Sequence, residues 1–168
     1  MSQRSSLYSF GMFVVVALCA ALSARADAPP GHYALGTGTV YDTKTGLTWQ
    51  QALTEPGGAG GSGGAGGGGG WSEFYEWSDA KMHCTNLNLN GFGWRLPTVK
   101  ELLTIVDVTK QDPSIDTSMD GFPETPSDNF WSATPNSDSG VEAWVVNFGN
   151  GSTDLGYVGT DYRVRCVR

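Results

Sequence analysis

Asp112, Asp116, Asp120, Glu124 and Asp128 recur in one stretch of the chain, with only Lys110 nearby to offset them. Calcium takes several oxygen ligands held close together, and this run could supply some. The D-x-D-x-D-G order of an EF-hand loop is absent, so a solvated acidic loop is the plainer reading. His32 and His83 are the two histidines. His83 lies beside Cys84, but the ligand spacings of a zinc site are missing, and a surface histidine next to a disulfide accounts for it. Gly60 to Gly64 matches G-x-S-x-G, and the surrounding tract matches G-x-G-x-x-G, by glycine content alone; no strand precedes either. No catalytic residue, metal or cofactor is expected on these grounds.

What remains is recognition by hydrogen bonding. Asp112, Asp116, Asp120, Asn136, Asp138 and Asn150 fall in segments that read as loops, and their carboxylates and amides can bind a sugar or a peptide directly. Trp71 borders a glycine tract and could stack on a sugar ring, although packing is the default for a tryptophan. The tryptophans at 49, 77, 94, 131 and 144 read as core residues. Arg163 and Arg165 could bind an anion; among so many acids, ion pairing is the expectation.

The elements that would hold these residues can be read locally. "TVYDTKTGLTWQQ" alternates around a turn at Asp42 to Gly46, which predicts a hairpin with Val40 and Tyr41 on one arm and Leu47 to Trp49 on the other. Residues 27–38 ahead of it read as an extended lead-in. Gly57 to Gly70 holds eleven glycines in fourteen residues and reads as a flexible surface loop inserted in one domain. Phe74, Trp77, Ala80, Lys81 and Cys84 follow at helical spacing, with Ser72 as N-cap. Thr98 and Glu101 make a T-x-x-E capping box behind Pro97, and Leu102, Leu103, Ile105 and Val106 are its expected buried stripe. Val108 to Asn129 has no clear period; a loop so long is functional or pinned by its own packing. "NFWSAT", "EAWVVNF" and "DYRVRCVR" read as strands, the last two separated by a turn-rich stretch at Asn150-Gly151. In the last strand Val164 and Cys166 share one face and Arg163 and Arg165 the other. The fold class is therefore α+β, a compact domain with two helices and a small, mostly antiparallel sheet.

Arg4, the apolar run Met12 to Leu22, and Ala24-Arg25-Ala26 have the layout of a signal peptide, with cleavage expected before Asp27. Leu18 precedes Cys19 where a lipoprotein signal needs a small residue, so no lipid anchor is expected. The chain then reads as 1–26 signal and 27–168 one secreted or periplasmic domain. Losing Arg4 and Arg25 and no acid moves the net charge from −7 to −9, which repels nucleic acid and anionic membranes. In an oxidising compartment the two remaining cysteines, Cys84 and Cys166, are expected to pair; two free thiols are the alternative.

The succession "YDTKTGLTWQ", a helix with Cys84, "GWRLPTVKELLTIVD", "FPETPSDNFWSAT", "AWVVNF" and "YRVRCVR" resembles the Lcl C-terminal domain family, from about Val40 to Arg168. The resemblance implies a C-type-lectin-like fold in which Trp94 and Leu96 pack and a helix cysteine pairs with one in the last strand. It also implies an exported bacterial recognition or adhesion domain whose partner is a glycan or an envelope or extracellular protein. The family's named adhesin binds sulfated polysaccharides. Here its collagen repeat is missing, and the −9 charge opposes a polyanion unless Arg163, Arg165 and Arg168 form a local patch. Calcium-dependent lectins of this fold hold sugar through a Glu-Pro-Asn or Gln-Pro-Asp motif; the matching interval, Thr134 to Val141, is short and has neither. Two other functions compete: a structural or assembly component of the cell envelope, and formylglycine-generating chemistry, which would need a reactive cysteine or a metal cluster.

Overall fold

The computed structural model describes residues 31–53 and 74–168. The signal-like segment, the glycine tract, Trp71 and Ser72 lie outside the described residues. Three strands, β1 (Tyr33–Gly36), β2 (Thr39–Asp42) and β3 (Thr48–Gln50), form an antiparallel sheet in that order. The β2–β3 turn is the one its residues specify. The Asp42 carboxylate accepts the N–H groups of Lys44 and Thr45 and the Thr45 hydroxyl, and Gly46 takes φ 74°. The lead-in differs from a plain extended arm, because from Tyr33 onward it pairs with β2.

A second sheet of β4 (Phe74–Tyr75), β5 (Asn129–Pro135), β6 (Glu142–Asn147), β7 (Thr153–Tyr157) and β8 (Tyr162–Arg163) has the order β4-β8-β5-β6-β7. Only the β5–β8 pair is parallel. Alternation along β5 and β6 sends Phe130 and Val146 into one core, with Leu102, Ile105, Ile115, Phe122 and Phe148, and Trp131 and Val145 into the other, with Ala80, Cys84, Trp94 and Leu96. The stretch around Asn150-Gly151 is therefore more than a turn: it ends in β7, a full strand. Its period is hidden by Gly156, which sits under two rings. A Cβ there would stand 2.6 Å from Tyr162 Cε2 and 2.8 Å from Trp131 Cζ/Cη edge atoms at their nearest. Gly156→Ala is accordingly expected to cost about 1–3 kcal/mol through overpacking, read as a lower urea midpoint with unchanged slope; an unchanged midpoint would mean that the rings are free to move aside.

Helix α1 (Trp77–Asn86) starts later than its apolar spacing suggests. Phe74 is not part of it: the Phe74–Tyr75 backbone pairs with Tyr162–Arg163, the Phe74 ring lies exposed beneath the Arg163 guanidinium, and Glu76 is the N-cap. Ala80 and Cys84 are the buried positions, and Cys84 is bonded to Cys166 with the Cα atoms 5.3 Å apart. Helix α2 (Val99–Leu103) opens with the expected capping box, both halves of which are made. The Arg95 guanidinium grips the same Glu101 carboxylate and, with Thr98, holds it down at about 2. The helix ends after five residues, so the stripe is partial. Leu102 and Ile105 are buried and Val106 half-buried, but Leu103 points outward and is 39 % exposed. Beyond β8 the chain runs between β3 and Arg95, exchanging N–H···O bonds with Thr48 on one side and Arg95 on the other.

Candidate functional site

Up to Asp128 the segment 108–129 contains no helix or strand, and Asn129 opens β5, yet it is held at several points. Ile115 and Phe122 are fully buried in the first core. Asp112 N–H donates to Gly149 O and Ser114 N–H to Phe148 O, tying the segment to the β6–β7 turn. Gln51 Nε2 donates to the carbonyls of Met119 and Gly121 at 3.1 and 3.2 Å. The fourth tie is Arg165. Its guanidinium donates to the Gln50 and Gln51 carbonyls at 2.7 and 2.6 Å and to Thr125 Oγ1 at 2.7 Å, and it lies over the Phe122 ring.

Arg165 corrects the expectation of ion pairing: it is fully buried among backbone carbonyls. The physical reason is that the chain end lies between two packed layers, so both faces of the alternating pattern are covered. Burial lowers its guanidinium to about 9, leaving it charged at neutral pH. It cannot join Arg163 and Arg168 in a surface patch. Arg163 does find an acid, donating from Nε to Asp128 Oδ2 at 2.6 Å. Arg168 lies over the Trp94 ring and donates to Asn90 O. His83 is half-buried against Tyr75, and burial lowers its imidazole. His32 contacts the buried Asp42 carboxylate at 3.1 Å.

The six candidate binding residues do not form one surface. Asp112 and Asn150 are exposed and come together at the β6–β7 turn. Asn136 and Asp138 sit at the opposite end of β6, where Asn136 Nδ2 donates to Glu142 Oε2 and its Oδ1 accepts from Asp138 N–H. Six residues of strand separate the two pairs, about 17 Å. Asp120 is exposed on the stretch tied down by Gln51. Asp116 is only 5 % exposed and is removed from the candidate surface. Burial would raise its carboxyl, but the Ser118 backbone and side chain and Lys110 outweigh this and hold it below the usual range. It braces its own loop because the chain reverses at Ser118 to Gly121, where Phe122 N–H returns to the Asp116 carbonyl. Among the described residues no three His, Cys, Asp or Glu side chains converge to hold a metal.

Sequence reasoning missed two further features. It gave Leu155 and Tyr157 to a turn, whereas they stand exposed on β7. It also read Trp144 as a core residue, but Trp144 is half-buried beside them. Alternating apolar residues around the "DLGY" glycine were the available signal. No curated protein matches the chain. A family model, that of the Lcl C-terminal domain, matches residues 38–168. That span takes in both sheets from β2 onward, both helices and the disulfide, and the protein belongs to the Lcl C-terminal domain family.

Proposed function

We propose that this chain is an exported, non-enzymatic recognition domain of C-type-lectin-like fold, whose surface loops bind a carbohydrate or a protein partner outside the cytoplasm. The observation that carries the reading is the 108–129 segment, long and irregular yet anchored through Phe122, Ile115, Gln51 and Arg165. Loops fixed in one conformation by a rigid scaffold lose little entropy on binding, and recognition concentrates there. Membership of a family named for an adhesin agrees with this reading. The lectin-like fold is supported by the helix-to-terminus disulfide and by the pairing of Val167 with both Trp49 and Arg95, which joins the two ends of the domain. Export is supported by the same disulfide, since such bonds persist in oxidising compartments.

The test is a glycan array run beside a pull-down from envelope extract, each with calcium and with chelator. Specific retention of a glycan or of one envelope protein is expected, with affinity changing less than about twofold on chelation. Affinity abolished by chelator and restored by calcium would overturn the metal-free part of the proposal. Two blank arms would overturn recognition itself.

A further inference from the structure

We propose that the open end of the β6–β7 face is a sugar-stacking subsite that takes the ring face of a neutral, hydroxyl-bearing saccharide. This rests on the recognition reading and adds the ligand class and the place. The register sets Glu142 opposite Tyr157 and Trp144 opposite Leu155. Val158 N–H donates to Val141 O, so the hydrogen-bonded pairs alternate with these two. Side chains are closest in the alternate pairs, and all four project from one face. Further along that face Val146 and Phe130 are sealed in the core. At this end Tyr157 is 60 % exposed and Leu155 37 %.

The polar groups around this patch suit hydroxyls. Trp77, Trp94 and Trp131 each spend the indole N–H on a backbone carbonyl, and that of Trp49 is sealed in the core. The indole N–H of Trp144 has no partner among the described residues and is not closed off from solvent. Asn136 fixes the Glu142 carboxylate through Oε2, at 3.0 Å, and leaves Oε1 without a partner among the described residues. Exposed aromatic and aliphatic side chains on one face, a free donor and an oriented acceptor match a pyranose, whose ring face is apolar and whose rim both donates and accepts. Asp138, at the same end of β6, adds further negative charge, which disfavours a sulfated or uronic chain.

Addition of a partner strand fits less well. Two of the outward groups of β7 are already used, the Leu155 N–H by Asp154 Oδ1 and the Tyr157 carbonyl by Thr160 N–H. The side-chain face of β7, more than its backbone edge, is therefore what the domain offers.

Titration of the full mature chain by tryptophan fluorescence tests this with three neutral hexasaccharides, of glucose, N-acetylglucosamine and mannose, together with heparin and a lysine-rich peptide. At least one neutral hexasaccharide is expected to bind, with Tyr157→Ala weakening it about tenfold at an unchanged thermal midpoint. Trp144→Phe keeps an aromatic ring and removes the N–H, and is expected to weaken binding about threefold. Binding of heparin or the peptide alone would overturn the ligand class. Neutral-sugar affinity unmoved by Tyr157→Ala would overturn the place while leaving recognition intact, whereas blank glycan and pull-down arms would remove both.

Discussion

Arg165→Ala is expected to destabilise the domain by about 4 kcal/mol or more, among the largest effects of any single side chain here. The guanidinium is the donor for the Gln50 and Gln51 carbonyls and for Thr125 Oγ1, and no water can reach it in its fully buried position. Truncation leaves those acceptors without their donor and opens a large cavity beside Phe122. Arg165→Met refills most of the volume but none of the hydrogen bonds, so it should fall between alanine and the parent. Urea unfolding of the three proteins measures the order. A methionine variant as stable as the parent would show that the guanidinium contributes only volume. Because Arg165 joins the chain end to Thr125 and to Gln51, amide exchange in residues 114–125 should also accelerate in Arg165→Met, while α1 stays protected.

Removing the disulfide is expected to have an effect of the same size by a different route. Cys84 and Cys166 are 82 residues apart in sequence, and closing so long a loop restricts the unfolded chain by about 4 to 5 kcal/mol. For a domain of this size that corresponds to a fall in thermal midpoint of roughly 15 °C. Both cysteines are fully buried among Trp94, Leu96 and Trp131, so the oxidised protein should resist native alkylation. Scanning fluorimetry of the Cys84→Ala/Cys166→Ala double variant against the parent gives the value. Equal midpoints would show that the two sheets hold the chain end in place unaided, through the Thr48, Gln50 and Arg95 bonds alone.

The two effects explain why the 21 residues 108–128 can stay anchored without secondary structure of their own. The disulfide fixes the chain end beyond β8, not the longer final strand that "DYRVRCVR" suggested, to α1. From that fixed end Arg165 reaches Thr125 and Phe122, and the segment buries Ile115 and Phe122 in the first core. Weakening either tie should loosen 108–128 before the sheets, since that stretch has few backbone bonds of its own.

By itself the sequence determined the features whose partners lie close along the chain or repeat with a short period. The Asp42 to Gly46 turn, the Thr98–Glu101 capping box and the β5 and β6 strands follow from side chains meeting backbone a few residues away, or from strict alternation. The Cys84–Cys166 bond was legible for another reason: only two cysteines follow the signal-like segment, so pairing them needed no geometry. Only the tertiary structure decided the start of α1, the existence of β7, the burial of Asp116 and Arg165, and the separation of Asn136 and Asp138 from Asp112 and Asn150. Each depends on a partner far along the chain: Arg163 for Phe74, Trp131 and Tyr162 for Gly156, the Gln50 and Gln51 carbonyls for Arg165. Side-chain type and local spacing are the same whether a strand has one neighbouring layer or two. Whether an arginine meets water or a row of carbonyls is fixed only when the second layer arrives.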